Sequence, residues 1–386
     1  MQRTGIANLP LHPGRAPRWL FTRMVNLSKA IIDVLVMEYG TDEVLKRLSD
    51  PFWFQALSCV LGFDWHSSGT TTVTCGALKE AVNPEKHGIA IVGGKGKASR
   101  KTPEEIEEKG KVFSLSTDTI DTLRFSSKMA AKVDNAALQD GYQLYHHVLL
   151  FSEKGKWAVI QQGMNDSNSY ARRYHWFSDH VDSFVVEPHK GIVGDEKEAM
   201  VLDMTAKLSE ETRKTSVDLV KDSPYHLRRD WELLMKNPLQ TSLDEGLQNQ
   251  EKKRFEMLDM PRNINWSLMK RIYDFQPENY EEFLSIKGVG PATVKALALI
   301  SDLVYGAKPS WEDPVKFTFT VGGKDGVPYP VDRKTMDESI EILKKGIDEA
   351  KMGKGERLRT LRRLKNVIPK VTLQLNEVKM RGNIHL

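Results

Sequence analysis

Cysteine is nearly absent from this sequence, with only Cys59 and Cys75 in 386 residues. Two cysteines exclude a disulfide framework and a four-cysteine zinc site, and they favour reduced thiols in a cytoplasmic protein. No run approaches the ~18 uninterrupted apolar residues of a membrane span. We therefore expect that the chain neither crosses a membrane nor has a membrane as its partner. The N-terminal residues include no apolar segment typical of a signal peptide. We therefore expect a cytoplasmic location.

Net charge is also small, at +4, but the basic residues are unevenly distributed. Between residues 340 and 386 there are twelve Lys and Arg against five Asp and Glu, mostly at helical spacing. Such patches on a nearly neutral chain favour a polyanion, because each neutralised phosphate releases counterions. A solvated helix face is the alternative for this segment. Two further basic clusters are Lys95, Lys97, Arg100 and Lys101, and Arg3, Arg15, Arg18 and Arg23.

The pattern of apolar residues divides the chain into two predicted domains, 1–190 and 191–386. In the first, two β-prone runs flank Ser-Glu-Lys-Gly-Lys in YQLYHHVLLFSEKGKWAVIQQGMN, which predicts a β-hairpin. TTTVTCGAL is rich in β-branched residues and favours a strand, although its end is compatible with a helix start. We predict an α+β N-terminal domain, with helices and a β-hairpin sheet, followed by a mainly α-helical domain.

One motif in the second domain is specific, in the segment 280–306, YEEFLSIKGVGPATVKALALISDLVYG. A short helix, a Gly-Val-Gly turn and a second helix opened by Pro291 resemble a helix-hairpin-helix, the DNA-backbone-binding module of many repair proteins. Glycines allow close approach to a phosphate, and amides at a helix N-terminus bind anions. An ordinary helical turn is the alternative. The predicted DNA contacts are Lys287, Gly288, Val289, Gly290, Ala292, Thr293 and Lys295, with a basic terminal helix at about 333–368.

Polar residues of the N-terminal domain are of the types used in metal-assisted phosphodiester hydrolysis. Carboxylates hold Mg²⁺ or Mn²⁺, a histidine moves a proton, and cationic side chains bind the phosphate. Because adjacent strand residues face opposite sides, only one of two neighbouring histidines can face a given site. Hydrogen-bonded structural roles are the alternative for each residue. The predicted metal ligands are Asp64, Asp134 and Asp140, the proton carriers His66, His146 or His147, and the phosphate clamps Lys128, Arg172 and Arg173.

Several longer segments carry a family resemblance: RTGIANLPLHPGRAPRWL, SDPFWFQALSCVLGFDWHSSGTTT, GGKGKASRKTPEEI, VDNAALQDGYQLYHH, and VIQQGMN with ARRYHW. Together they resemble an uncharacterised archaeal and bacterial family, a conserved domain of unknown function with a helix-hairpin-helix in its C-terminal half. The resemblance implies a prokaryotic protein acting in genome maintenance, without an assigned reaction.

A second resemblance involves Pro330-Val331-Asp332. Helix-hairpin-helix DNA glycosylases follow the hairpin with a Pro-Val-Asp segment whose aspartate does the chemistry. Here Asp332 lies farther from the hairpin than in those enzymes, and Ala292 stands where lyase-active members have a lysine. A role for Asp332 as the N-cap of the following helix is the alternative.

The sequence therefore predicts a nucleoid-associated DNA-processing protein. The main hypothesis is that the protein is a divalent-metal-dependent nuclease, which contacts the DNA backbone without reading bases. A helix-hairpin-helix glycosylase and a non-catalytic DNA-binding adaptor remain as alternatives. Nothing in the sequence predicts the oligomeric state.

Overall fold

Five antiparallel strands form the central sheet of the computed structural model, in the order β1-β3-β4-β5-β6. The structure describes residues 9, 11, 16–63, 67–194, 197–236, 260–315, 344–348 and 359–360. The strands are β1 (Ile89–Lys95), β2 (Leu138–Gln139), β3 (Gln143–Ser152), β4 (Trp157–Asn165), β5 (Tyr170–Phe177), β6 (Gly191–Val193) and β7 (Leu202–Asp203), with β2 and β7 forming a separate pair.

Helices precede, interrupt and follow these strands. Four helices precede β1: α1 (Arg18–Leu48), α2 (Pro51–Leu61), α3 (Gly69–Ala81) and α4 (Pro84–His87). Between β1 and β2 lie α5 (Thr102–Val112) and α6 (Thr117–Lys132). After β7 lie α7 (Glu210–Lys221), α8 (Pro224–Lys236), α9 (Trp266–Phe275), α10 (Tyr280–Ser285) and α11 (Pro291–Leu303). The mixed α and β composition agrees with the predicted class.

Local signals explain several element boundaries. The Asp50 side chain accepts a hydrogen bond from the Trp53 amide at 2.9 Å, and Pro51 occupies the first position of α2, which ends at left-handed Gly62. The predicted β-hairpin is confirmed, with β3 pairing antiparallel to β4 across the 152–156 turn. A bulge between Leu144 and His146 leaves Tyr145 as the extra residue.

The strand expectation for TTTVTCGAL is wrong, because these residues lie in α3. Thr71, Thr74, Cys75 and Leu78 are buried and occupy positions i, i+3, i+4 and i+7, which places one helix face inward. Burial of side chains at helical spacing thus outweighs the weak preference of β-branched residues for strands.

Alternation along the strands creates the two largest buried apolar clusters, one on each face of the sheet. Ile91, Leu150 and Ile160 belong to the cluster that includes α1, α2 and α3. Val92 and Leu149 belong to the other, which includes α5, α6 and the helices after β7. This second cluster includes residues on both sides of the predicted boundary at 190, and the division into two domains stays a prediction.

Gly93 lies directly against the backbone of β3. Its φ is +91°, and an added Cβ would lie 2.3 Å from the His147 carbonyl oxygen. We expect Gly93→Ala to lower the free energy of unfolding by about 2 kcal/mol or more, from backbone strain plus displacement of β3. Gly76→Ala is the control, because its Cβ would lie 3.7 Å from Phe21 inside a helix. Urea unfolding measures both, and equal stabilities would contradict the expectation.

Candidate functional site

The turn between α10 and α11 has the shape that its glycines predict. Gly288 has a φ of +102°, a region that favours glycine, whereas Gly290 is extended at −147°. Val289 between them is 3% exposed and packs into the core. Of the other predicted contacts, Lys287, Gly288 and Ala292 are exposed, Gly290 and Lys295 are partly exposed, and Thr293 is buried.

Side chains of neighbouring elements bind the carbonyl groups of this turn. The Lys132 ammonium, at the end of α6, donates to the Ile286 carbonyl at 3.1 Å and to the Val289 carbonyl. Since N–H and C=O point in opposite directions across a trans peptide, the amides of Lys287 and Gly290 point away from Lys132. Within the described residues, the backbone N–H groups of Gly288 and Gly290 donate no hydrogen bond.

Two further carbonyls around the turn are bound in the same way. Arg271 Nη2 donates to the Lys287 carbonyl at 3.3 Å, and Gln139 Nε2 donates to the Pro291 carbonyl at 2.9 Å. The N-terminus of α11 has no side-chain cap. The turn therefore presents amides outward and binds its carbonyls to its own chain.

Positive charge lies beneath and beside the turn. Lys132 is half-buried, and burial, followed by the charge of Lys128, lowers the pKa of Lys132. Lys128 itself is exposed one helical turn earlier. A separate basic cluster, formed by Lys95, Lys97, Arg100 and Lys101, is exposed in the segment from the end of β1 to the start of α5.

Asp134 lies in the interior rather than at a surface cleft. It belongs to a π-helical turn, Val133–Ala137, and its side chain is fully buried. One oxygen accepts from Gln161 Nε2 at 2.5 Å and from Trp176 Nε1 at 3.0 Å, and the other contacts His189 Nε2 at 2.5 Å. Donors from three parts of the chain therefore occupy both carboxylate oxygens.

Asp140 belongs to a second buried group, which is ionic. Its Oδ2 accepts from the Tyr174 hydroxyl at 2.7 Å and from Arg172 Nη1 at 3.1 Å. Arg172 also donates to both oxygens of Asp313, at 3.1 and 2.8 Å. Burial raises the pKa of Asp140 to about 6, although the Arg172 charge opposes this rise. Burial acts to lower the pKa of Arg172, but Asp140 and Asp313 together raise it.

A third polar group lies on the opposite face of the sheet, under α2 and α3. Arg173 donates to Gln55 Oε1 at 2.9 Å, to Thr71 Oγ1 at 3.3 Å and to His175 Nε2 at 2.8 Å. Burial lowers the pKa of Arg173 to about 9, against the opposing effect of Cys75 and Cys59. The guanidinium groups of Arg172 and Arg173 are both buried, so neither faces a surface that DNA would contact.

His146 and His147 face opposite sides of the sheet, as strand alternation predicts. His147 contacts Ser127 Oγ at 2.7 Å and Gln161 Oε1 at 2.8 Å, and burial lowers its pKa. His146 is buried, and neither of its ring nitrogens has a hydrogen-bond partner in the described part of the chain. Burial, followed by the charges of His147 and Lys95, lowers the pKa of His146 to about 3.

The structure brings together some of the predicted catalytic residues and separates others. Asp134 and His147 share one hydrogen-bonded chain through Gln161, while Asp140 lies in the ionic group with Arg172. Asp64 and His66 lie outside the described residues, as do Asp332 and most of the predicted terminal helix. The sequence did not predict roles for Ser127, Gln161, His189 and Asp313. The pair of glutamines within an apolar strand could have indicated a buried polar role for Gln161. No pattern in the sequence around Asp313 indicates such a role.

Two features are absent from the described residues. No group of three His, Cys, Asp or Glu side chains there has an arrangement that could hold a metal ion. No helix there is long and apolar enough to cross a membrane. Since their own chain's donors occupy the oxygens of Asp134 and Asp140, these two carboxylates do not fit a cation site in this arrangement. The Mg²⁺ or Mn²⁺ expectation stays a prediction, and it depends on Asp64.

Comparison with known proteins identifies a family. Residues 5–331 match the family described as "Protein of unknown function (DUF763)", and the chain belongs to it. No curated protein and no solved structure matches the chain significantly.

Proposed function

We propose that this member of the family binds DNA through the sugar-phosphate backbone, and that the turn between α10 and α11 makes the contact. The observation that carries the proposal is the direction of the peptide groups in this turn. Their carbonyls bind to Lys132, Arg271 and Gln139, so the following amides face away from these side chains. Outward amides at an uncapped helix N-terminus favour a phosphate, because the helix dipole adds to them. We assign a helix-hairpin-helix to 280–306 on this basis.

Charge around the turn supports an anionic partner. Lys287 is exposed on the turn, Lys128 is exposed one helical turn before Lys132, and the Lys132 ammonium lies behind the peptide groups that would meet the phosphate. Contacts of this kind position a protein on DNA without reading its sequence. We therefore expect similar affinity for unrelated duplexes and a strong dependence of affinity on salt.

Gly290→Leu tests the contact without disturbing the fold. The backbone at Gly290 is extended, and an added Cβ would lie 4.0 Å from its nearest neighbour, the Gly288 carbonyl oxygen. The leucine side chain would cover the amides, and we expect about tenfold weaker binding, or roughly 1.4 kcal/mol, on two unrelated duplexes. Fluorescence anisotropy with the full chain measures both affinities.

Thr117→Leu is the matched control, because it adds the same side chain at the start of α6, where Ser116 caps the helix. We expect wild-type affinity and wild-type thermal stability for this variant. Loss of affinity on one duplex alone would contradict backbone binding, and unchanged affinity of Gly290→Leu on both would remove the turn from the contact.

The same DNAs distinguish the three activities that the sequence leaves open. Incubation with Mn²⁺ or with EDTA is followed by separation of the strands, with and without alkali. Metal-dependent strand breaks support the nuclease, and EDTA-insensitive sites revealed only by alkali support the glycosylase. Binding without any product supports the non-catalytic adaptor.

A further inference from the structure

Ser127, His147, Gln161 and Asp134 form a continuous chain of hydrogen bonds through the core. The distances are 2.7 Å from Ser127 Oγ to His147 Nε2, 2.8 Å from His147 Nδ1 to Gln161 Oε1, and 2.5 Å from Gln161 Nε2 to Asp134 Oδ2. Helix α6 carries the serine, the following π-helical turn carries the aspartate, and strands β3 and β4 carry the other two. Single-turn π-helices are frequent at functional sites.

The direction of the protons in this chain follows from the Gln161 amide. Its nitrogen donates to Asp134, and its oxygen, which can only accept, faces His147. His147 must then carry its proton on Nδ1, which leaves Nε2 unprotonated and able to accept from the Ser127 hydroxyl. A hydroxyl donating to a histidine that a third group orients is the arrangement of an activated nucleophile and its base.

The chain runs from the interior toward the surface. Asp134 and Gln161 are fully buried, whereas His147 is 8% exposed and Ser127 is 6% exposed. Across the β1–β3 pair, the residue opposite His147 is Gly94, which offers no side chain to cover the imidazole. Lys128, the residue after Ser127, is exposed. An anionic group bound by this ammonium would therefore lie close to the outer end of the chain.

We propose that Ser127 is the nucleophile of a phosphate-ester hydrolase site, with His147 as its base, Gln161 as the positioning residue and Asp134 as the anchor. The Ser127 oxygen forms a bond to phosphorus while the bond to the leaving alcohol breaks. The serine proton passes to His147 Nε2 and then to the leaving alkoxide. Water next attacks the phosphoserine and gives a proton to His147, and Ser127 recovers a proton as it leaves. This site uses no residue of the α10–α11 turn and does not rest on DNA binding.

A fluorophosphonate probe tests the nucleophile directly, because attack by serine releases fluoride and leaves a stable adduct. We expect one adduct on the wild-type chain, mapped by mass spectrometry to Ser127 and formed equally well in EDTA. Ser127→Ala should abolish it. Ser126→Ala is the matched control, since this neighbouring buried serine donates to the Thr122 carbonyl at 2.9 Å and takes no part in the chain. The control should label as the wild type does.

Gln161→Met separates positioning from simple packing. It keeps the size of the side chain and removes the hydrogen bonds from Gln161 to His147 and to Asp134, so we expect at least tenfold slower labelling with circular dichroism unchanged. Hydrolysis of p-nitrophenyl phosphate, and not of p-nitrophenyl acetate, supports the substrate class. An unlabelled but folded wild-type chain, or an adduct that persists in Ser127→Ala, would overturn the nucleophile. Hydrolysis of the acetate alone would overturn the assignment to phosphate esters.

Discussion

Arg172→Leu is expected to lower the free energy of unfolding by about 3–5 kcal/mol, the range for removing one partner of a buried ion pair. Arg172 is fully buried and joins the carboxylates of Asp140 and Asp313 through three hydrogen bonds. Without the guanidinium, two carboxylates remain close together in a region of low dielectric. Their desolvation and mutual repulsion then act unopposed. The ion pair also joins β5 to a segment far along the chain, so its loss affects the packing between them.

Equilibrium unfolding in urea at pH 7.5 measures this effect, with Lys156→Leu as the matched control. Lys156 pairs with Asp179 at 2.8 Å, but the two side chains are 39% and 46% exposed, so we expect a much smaller change for Lys156→Leu than for Arg172→Leu. A loss of similar size for both variants would show that burial does not control the cost. Apolar replacement of Arg172, Asp140 and Asp313 together should recover part of the lost stability, because no charge is then left unpaired.

Local patterns in the sequence predict the local parts of this structure. Two β-prone runs around a polar turn predict the β3–β4 hairpin, and its two-residue period separates His146 from His147. Glycine spacing and a following proline predict the turn before α11. The α3 segment was predicted incorrectly, because the burial of its threonines depends on elements distant in the sequence.

The polar groups around these elements follow from tertiary pairing, which leaves little trace in a single sequence. From the sequence, Arg172 is predicted to be a phosphate clamp. In the structure it instead donates to Asp313, which lies 141 residues later in the chain. Asp134 reads as a metal ligand until Gln161, Trp176 and His189 supply its donors. The residue types thus identified these side chains as important polar groups of the fold. It did not predict which partners neutralise them, because those partners come from separate strands and loops.

His146 is expected to make the protein acid-sensitive. Its pKa is about 3 in the folded chain, against about 6.5 for an unperturbed histidine, so between these pH values only the unfolded chain takes up the proton. Stability from this residue is therefore fully present above pH 6.5 and falls as the pH drops, by about 1.4 kcal/mol per pH unit. His146→Leu removes this contribution. We expect the variant to gain about 3 kcal/mol relative to wild type between pH 7.5 and pH 4.5, measured by urea unfolding at both values.

Ser28→Ala separates the titration of His146 from its lack of hydrogen bonds. The Ser28 hydroxyl is also buried without a hydrogen-bond partner in the described structure, but it does not titrate in this pH range. Removing it should change stability by a similar small amount, of the order of 1 kcal/mol, at both pH values. If His146→Leu showed the same pH-independent change, the imidazole would have to be protonated in the folded chain or reached by water. Because His146 lies beside Gln162 under α3, such a result would mean that this face of the sheet opens to solvent in acid.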